Sequence, residues 1–226
     1  MFNKLYNGNA LEIIKEIKNN SIDLIIIDPP YNIYEGGAGI YKKRDKKNVM
    51  KMAQENKLFI DVPEIKDYIN ILYSKLKNNA HCYIMTNSSN LYLFMNEICK
   101  SKFKLAQILI WEKSIKILNP YFSVNHEYIL LIRKGYKKIS NYNYSTVIKI
   151  PFKKKHHPTE KPVRLMEILI ESSSEINDIV LDCFMGAGST GIASVRNKRS
   201  FIGIEIEKKY FNLAKKRIEE YQGVLI

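Results

Sequence analysis

Hydrophobic and polar positions along the chain follow two patterns that predict strands and helices in turn. Short apolar runs rich in Ile and Val end abruptly, as in the run that closes with Asp28, Pro29 and Pro30. Such runs are typical of strands buried on both faces of a parallel sheet. Between them, apolar residues recur at helical spacing, as at Leu11 and Ile14, which predicts amphipathic helices. Strands that alternate with helices in this way predict a doubly wound α/β sheet.

The predicted strands lie at Phe2–Tyr6, within Ser21–Pro30, and at His81–Thr86, Leu105–Glu112, His126–Arg133, Asp178–Asp182 and Ser200–Glu207. The predicted helices lie at Ala10–Asn19, Pro63–Lys77, Ser89–Ser101, Pro162–Ser173, from the glycine-rich segment to about Asn197, and at Tyr210–Gln222. Since no crossover helix fits between Leu105–Glu112 and His126–Arg133, these two strands are predicted to pair antiparallel. The sheet should therefore be mostly parallel, with one antiparallel strand.

Length and composition suit one globular domain. The chain has 226 residues, of which 46% are hydrophobic, so it can bury a substantial core. Residues 34–62 show little periodicity and are predicted to be a mobile insertion, with some helix near Val49–Lys57. No apolar run is long enough to span a bilayer, no signal peptide precedes the first strand, and no Cys-x-x-Cys pair suggests a metal. A cytoplasmic protein without a structural metal is expected.

The net charge of +13 is concentrated in two segments. Arg133–Lys155 carries +8 and Tyr41–Lys51 carries +5, while the rest of the chain is neutral. Basic segments on a neutral body favour a polyanionic partner, although two solvated loops would give the same count. The residues of these segments, with the adjoining histidine, that are predicted to contact the polyanion are Lys42, Lys43, Arg44, Lys46, Lys47, Lys137, Lys138, Lys153, Lys154, Lys155 and His156.

A glycine-rich segment with Gly186, Gly188 and Gly191 lies between a predicted strand and a predicted helix. Glycines let the backbone turn tightly and approach a ligand closely. Glu205 ends the next strand, 19 residues after Gly186, where a carboxylate can accept both ribose hydroxyls of an adenosine-containing cofactor. The spacing therefore predicts a nucleotide cofactor, although a tight turn without a ligand can show the same pattern.

Asp28, Pro29, Pro30 and Tyr31 follow a buried strand at the edge where open α/β sheets bind ligands. Prolines cannot continue the strand, so they would present the acidic and aromatic side chains at that edge. A plain strand-ending turn is the alternative. The Ile-rich run before the motif and the aromatic residue after it favour a functional site.

The two motifs together resemble those of the beta-class DNA amino-methyltransferases, because Asp28–Tyr31 precedes Asp182-Cys183-Phe184-Met185-Gly186 in the chain. Further similar segments, within a resemblance that spans Asn9 to Tyr210, are Ile110–Lys113, Asn119-Pro120, His126–Leu130, His157–Pro162 and Gly203–Glu205. The chain departs from the family at Cys183, where Pro is common, and at Asn9, where Asp is common. The loss of charge at Asn9 implies somewhat weaker cofactor binding.

The resemblance implies a class I methyltransferase-like fold with a circularly permuted motif order. It implies methyl transfer from S-adenosyl-L-methionine to the N6 atom of a flipped adenine in a specific sequence of double-stranded DNA. In that family Asp-Pro-Pro-Tyr mostly accompanies adenine, and cytosine N4 is the alternative target. The implied catalytic residues are Asp28, Pro29, Pro30 and Tyr31. The implied cofactor-binding residues are Asn9, Ala10, Asp28, Thr159, Lys161, Asp182, Phe184, Gly186, Gly188, Thr190 and Glu205.

On this interpretation residues 1–226 form one methyltransferase domain, with the target-recognition region at about 133–157. Two other functions stay open. A nicotinamide or flavin oxidoreductase would use the glycine-rich segment but leaves Asp28–Tyr31 and both basic segments unexplained. A catalytically silent nucleic-acid-binding protein of the same fold is the other. A homodimer and a cognate restriction enzyme are partners that the sequence leaves open.

Overall fold

A computed structural model describes residues 2–30, 63–117, 121–140, 143–151 and 160–223. The predicted insertion at 34–62 and the helix predicted near Val49–Lys57 lie outside these residues. Within the described part of the chain, no helix is both long enough and apolar enough to cross a membrane.

The strands are β1 (Asn3–Asn7), β2 (Ile22–Ile27), β3 (Leu76–Thr86), β4 (Lys104–Ile117), β5 (Val124–Lys134), β6 (Val147–Lys149), β7 (Ile179–Asp182) and β8 (Ser200–Glu205). The helices are α1 (Ala10–Glu16), α2 (Ile65–Lys75), α3 (Ser88–Lys100), α4 (Val163–Ser173), α5 (Ser189–Arg196) and α6 (Lys208–Gly223).

The described strands form one sheet in the order β1-β8-β7-β2-β3-β5-β4-β6. Neighbouring strands are parallel except at β5, which is antiparallel to both β3 and β4. The predicted α/β sheet with one antiparallel strand is therefore confirmed. Strand β6 was not predicted, since three residues at the sheet edge are too short to show a hydrophobic period.

Strand β2 is buried on both faces of the sheet, and this explains its continuous apolar sequence. Leu24 and Ile26 pack in a core shared with α4, α5 and α6, whereas Ile25 and Ile27 pack in a core shared with α1, α2 and α3. All four are no more than 1% exposed. Each such side chain contributes roughly 1.5–3 kcal/mol on burial, so β2 is strongly held at the centre of the sheet.

The start of α1 agrees with the prediction from the sequence, whereas its end does not. Asn9 is the N-cap of α1, as predicted, and its side chain accepts a hydrogen bond from the Leu11 N–H at 2.8 Å. Helix α1 ends at Glu16, three residues before the predicted end at Asn19, because Ile17 is extended, with φ −69° and ψ 133°. Such a conformation is incompatible with a continuing right-handed helix.

The parallel strands bring the ends of β2, β7 and β8 to one edge of the sheet, here called the carboxyl edge. Because β5 runs the other way, it begins at this edge, where Tyr128 pairs with Thr86. The polar residues that end the parallel strands therefore lie near those that begin β5. The opposite edge holds the end of β5, where Lys134 pairs with Ala80.

Gly191→Ala tests how closely α5 packs against the sheet and α6. A Cβ atom at Gly191 would lie 2.4 Å from Ile218 Cδ1 and 2.8 Å from Phe201 Cε1, so we expect a loss of about 1–3 kcal/mol of stability in urea unfolding. Ile218→Val removes the nearest of these atoms. The double variant should lose less than the sum of the two single variants, whereas strict additivity would contradict this packing.

Candidate active site

Asp28 lies directly beyond β2 at the carboxyl edge, with 24% of its side chain exposed. Its neighbours Pro29 and Pro30 are buried and partly buried, respectively, and they lie outside β2. Since proline lacks an N–H, this turn leaves carbonyl oxygens as its backbone hydrogen-bonding groups. Tyr31, the fourth residue of the motif, lies outside the described residues.

Lys161 donates a hydrogen bond to Asp28 Oδ2, across 133 positions of sequence. Its side chain is only 9% exposed, and its Nζ also lies 3.4 Å from Glu127 Oε2. Glu127 in turn accepts a hydrogen bond of 2.5 Å from Lys113 Nζ. Four charged side chains therefore form a chain at the carboxyl edge, which we call the charge chain: Asp28, Lys161, Glu127 and Lys113.

The members of the charge chain have opposing effects on the pKa of Asp28. Burial raises the pKa of the Asp28 carboxyl above its ordinary value of 3.8, and the negative charge of Glu127 raises it further. The ammonium groups of Lys161 and Lys113 act in the opposite direction. The pKa of Glu127 is lowered overall, because these two lysines outweigh its burial. Asp28 is thus a buried carboxylate whose ionised form depends on neighbouring cations.

Asp182 ends β7 beside Asp28 and holds the first turn of the glycine-rich segment. One of its oxygens accepts from the Phe184 N–H at 3.0 Å and the other from Thr190 Oγ1 at 2.6 Å. Thr190 is buried, so the structure uses its hydroxyl to support this turn. Burial raises the pKa of Asp182 to about 7, against the opposing effect of these hydrogen bonds.

Glu205 ends β8 and fixes two further backbone segments. Its carboxylate accepts from the Gly186 N–H at 2.9 Å and from the Glu207 N–H at 2.8 Å. Burial raises the pKa of Glu205. Because each carboxylate oxygen has two lone pairs, both oxygens keep capacity for a further donor.

The three glycines of the segment serve two different purposes. A Cβ at Gly188 would lie 2.9 Å from Ala214 Cβ, and one at Gly191 would contact Ile218, so these glycines allow close packing against α6. Gly186, with a φ of 51°, has no described atom within 4 Å of the position that a Cβ would take. Open space therefore lies above Gly186, next to the Glu205 carboxylate.

Asn9, Ala10 and Phe184 are brought to the same edge as Gly186. The Gly8 N–H donates to the Glu205 carbonyl at 3.1 Å, which places Asn9 and Ala10 beside the end of β8. Phe184 is partly exposed and packs edge-on against the buried Tyr68 ring, with 5.4 Å between ring centroids. The edge that carries the open space therefore also carries polar and apolar side chains. Thr159 lies outside the described residues.

Arg217 of α6 was not identified from the sequence, yet it joins two parts of the site. It donates 2.6 Å hydrogen bonds to the Ala187 carbonyl and to Glu160 Oε1. Both it and Glu160 are largely buried. Arg217 therefore ties the glycine-rich segment to the residue that precedes Lys161. Its position in a helix with many charged residues carries no signal that would distinguish it.

The structure does not bring Lys137 and Lys138 to the carboxyl edge. The Lys137 carbonyl contacts His81 Nε2 at 3.0 Å, and His81 pairs with Leu24. Since Asp28 lies four residues farther along β2, the separation along the strand direction is roughly 13 Å. Both lysines instead line a groove at the opposite edge, and Lys137 Nζ donates to the Ser173 carbonyl.

The later part of the same basic segment, which includes β6, runs toward the carboxyl edge. Strand β6 is parallel to β4, and Lys149 pairs with Glu112, so the chain approaches the carboxyl edge there. The other predicted DNA contacts lie outside the described residues: Lys42, Lys43, Arg44, Lys46, Lys47, Lys153, Lys154, Lys155 and His156. For all of these residues, DNA contact stays a prediction.

Comparison with known proteins identifies the family. The DNA methylase family model, which covers N6 and N4 methyltransferases, matches residues 22–216. The type II methyltransferase M2.MboI of Moraxella bovis is 30% identical over an alignment of length 250, which covers 98% of this chain and 89% of the relative. The chain therefore belongs to this DNA methylase family, and the resemblance inferred from the motifs is confirmed.

Solved structures agree with this assignment. The complex of M1.HpyAVI with SAM has a TM-score of 0.72 at 28% identity, covering 96% of this chain and all of that chain. The cytosine-N4-specific PvuII DNA methyltransferase has a TM-score of 0.75 at 16% identity, covering 99% and 91%. At that identity the second likeness shows the shared methyltransferase fold alone.

Asp182→Asn tests the buried carboxyl group through its pH dependence. Between the ordinary pKa of 3.8 and the folded value of about 7, the folded protein holds a proton that the unfolded chain has released. Stability from this group is therefore fully present in acid and is lost as the pH rises toward 7. From about pH 5 to about pH 8, wild type should lose on the order of 1 kcal/mol or more relative to Asp182→Asn in urea unfolding. If the difference in unfolding free energy between the two proteins does not change with pH, the pKa of Asp182 is not raised in the folded protein.

Proposed function

We propose that this chain transfers a methyl group from S-adenosylmethionine to the N6 atom of an adenine that has been flipped out of double-stranded DNA. The observation that carries the proposal is the position of Asp28, at the same carboxyl edge as the open space above Gly186. Membership of the DNA methylase family supports the reaction class. Since the exocyclic amino group cannot be reached within a base pair, the base would have to leave the helix.

Asp28 and Pro29 would act on the amino group of the base. The nitrogen is a weak nucleophile, because its lone pair is delocalised into the ring. The Asp28 carboxylate would accept one amino hydrogen and the Pro29 carbonyl the other, so the nitrogen becomes more tetrahedral as it attacks. Both acceptors would stabilise the positive charge that develops on nitrogen. Asp28 can then take up the proton that the methylated nitrogen releases.

The open space above Gly186, next to the Glu205 carboxylate, would take an adenosine-containing cofactor, which when bound would supply an electrophilic methyl group on a sulfonium. Glu205 would accept the ribose hydroxyls through lone pairs that Gly186 and Glu207 leave available. Asn9 and Ala10 would cover the adenine, and Phe184 would flank it. Gly186 would leave room for close approach of the ligand.

Other residues would have supporting roles in holding the cofactor. Lys161 would pair with the cofactor carboxylate as well as with Asp28, because it is a buried cation at this edge. Asp182, Thr190 and Gly188 would support the glycine-rich segment through the contacts described above. Thr159, as the resemblance implies, would bind the cofactor beside Lys161.

DNA would be held by the two basic segments, with Tyr31 stacked on the flipped base. Residues 133–157 would form the target-recognition region. Because β6 leads the chain toward the carboxyl edge, Lys149 would lie on the side of this region that faces the base. The region at 41–51 would cover the base or the DNA backbone.

Cytosine N4 is the second candidate target, because the matched family covers both N6 and N4 methyltransferases. The two targets are exocyclic amines beside a ring nitrogen, so the same acceptors could serve either. Asp28 favours adenine, since an ionised carboxylate is a strong acceptor and Asp at this position mostly accompanies adenine in the family that the motifs resemble.

The glycine packing argues against a dinucleotide-dependent oxidoreductase. In the dinucleotide fingerprint, the second glycine gives the pyrophosphate close access to the backbone. Here Gly188 occupies that position, and it faces Ala214 of α6 at a distance that leaves no room for a ligand on that side. The space at this segment lies at Gly186 instead.

Asp28→Asn should abolish methyl transfer, while S-adenosylmethionine binding falls far less. The amide keeps the shape of the side chain but loses the charge that stabilises the reacting nitrogen. Tritium transfer to DNA and calorimetry with the cofactor, on the same preparation, measure the two properties. Turnover within a few-fold of wild type would exclude Asp28 from the reaction.

The methylated product identifies the target base. DNA treated with the wild-type protein and S-adenosylmethionine should yield N6-methyl-2′-deoxyadenosine after digestion and mass spectrometry, and DNA treated with Asp28→Asn should not. N4-methylcytosine as the main product would show that the pocket, rather than Asp28, selects the base.

A further inference from the structure

Glu127 and Lys113 are charged residues at the carboxyl edge to which the proposed reaction assigns no role. Glu127 is 18% exposed and Lys113 is 14% exposed, so both are largely withdrawn from solvent. Besides bonding to Glu127, Lys113 lies 4.9 Å from the centroid of the Trp111 ring. Largely buried ion pairs of this kind cost desolvation energy and are weak contributors to stability. Stability alone therefore does not explain why these two charged residues are buried at this edge.

Strand geometry places both residues on the face of the sheet that carries Asp28. Glu127 lies two positions before Ile129, and Asp28 lies two positions after Ile26; both isoleucines belong to the core on the α4 face. Because side chains alternate along a strand, residues two apart share a face. Lys161 lies just before α4, which covers this same face. The strands and the helix thus converge on one ammonium group.

Lys161 is shared between two carboxylates rather than paired with one. It contacts Asp28 directly and lies 3.4 Å from Glu127 Oε2, which is itself held by Lys113. The charge chain contains two cations and two anions, so it is neutral when all four groups are ionised. Asp182 on β7 is a further titratable group that interacts with Asp28.

We propose that Glu127 is a positioning residue for methyl transfer, which acts on Asp28 by holding the ammonium of Lys161, and that Lys113 holds Glu127 in place. This inference rests on the proposed function, in which Asp28 accepts a hydrogen from the target amine. With Glu127 charged, the attraction of Lys161 is divided between two carboxylates, so Asp28 keeps acceptor capacity for the base. Without that charge, Lys161 pairs fully with Asp28 and competes with the base.

Glu127→Gln removes the charge and keeps the size of the side chain. We expect the kcat for methyl transfer to fall about 10- to 100-fold, as when a reacting group is misplaced by about 1 Å. The acid limb of the pH profile should also move to lower pH, since loss of a neighbouring negative charge lowers the pKa of Asp28. Glu127→Asp, which keeps the charge, should leave the limb near its wild-type position. Glu167→Gln is the matched control, since Glu167 pairs with Arg164 and Arg196 away from the charge chain.

Lys113→Gln tests the second link. If Lys113 acts through Glu127, Lys113→Gln should slow methyl transfer, and the double variant should be little slower than Glu127→Gln alone. Calorimetry with S-adenosylmethionine on each preparation shows that the variants are folded. If Glu127→Gln does not bind the cofactor, the kcat values of the other two variants test the inference. Lys113→Gln should then be slower than Glu127→Asp, which keeps the charge.

The outcomes separate this inference from the proposed function. A Glu127→Gln variant as active as Glu167→Gln, or one with an unmoved acid limb, would overturn the role of Glu127 while Asp28→Asn stays inactive. If the fold losses in kcat of Glu127→Gln and Lys113→Gln multiply fully in the double variant, Lys113 does not act through Glu127. A wild-type protein that methylates no DNA would overturn the proposed function itself.

Discussion

The need to hold buried carboxylates at one edge of a parallel sheet is the constraint on which the rest of the site depends. Asp28, Asp182 and Glu205 end neighbouring parallel strands or follow them directly, so the topology brings three acidic groups to one edge. Burial raises the pKa of each of them. A buried carboxylate is tolerated when donors surround it. Each group has its own donors, and these donors shape the site.

The donors divide the edge into a cofactor side and a reaction side. Glu205 and Asp182 accept mostly backbone N–H groups, and thereby fix the glycine-rich segment around the open space at Gly186. Asp28 instead faces the ammonium of Lys161, which also lies 3.4 Å from Glu127. Arg217 connects the two sides, because it contacts both Ala187 and Glu160. Backbone donors thus hold the cofactor side, and charged side chains hold the reaction side.

Most of the fold could be predicted from the sequence, because buried parallel strands carry continuous apolar runs that end in recognisable motifs. The turn of Asp28, the glycine-rich segment and the N-cap at Asn9 are local features, and the structure places them as predicted. Strand β6 was not predicted, because its three residues, which pair with β4 as the outermost strand, are too few to show a hydrophobic pattern.

The charge chain could not be predicted, because it depends on pairing between strands distant in sequence. Glu127 could have been noticed in the sequence, because it is an acidic residue just before the apolar run Ile129–Ile132 of β5. Its partners, however, depend on the register between β4 and β5. Net charge was likewise a poor guide to position. Lys134 counts toward the basic segment, yet it is 8% exposed and donates to the carbonyls of Leu76 and Tyr73. Charge in the sequence therefore includes groups that hold the fold.

The most direct test of the account is a crystal structure of the chain with a non-reactive analogue of S-adenosylmethionine and a short duplex that contains its target sequence. The account predicts an adenine outside the helix, with its N6 atom within hydrogen-bonding distance of both the Asp28 carboxylate and the Pro29 carbonyl. It also predicts the ribose of the analogue at Glu205. A target base held elsewhere, with Asp28 still paired to Lys161, would contradict it.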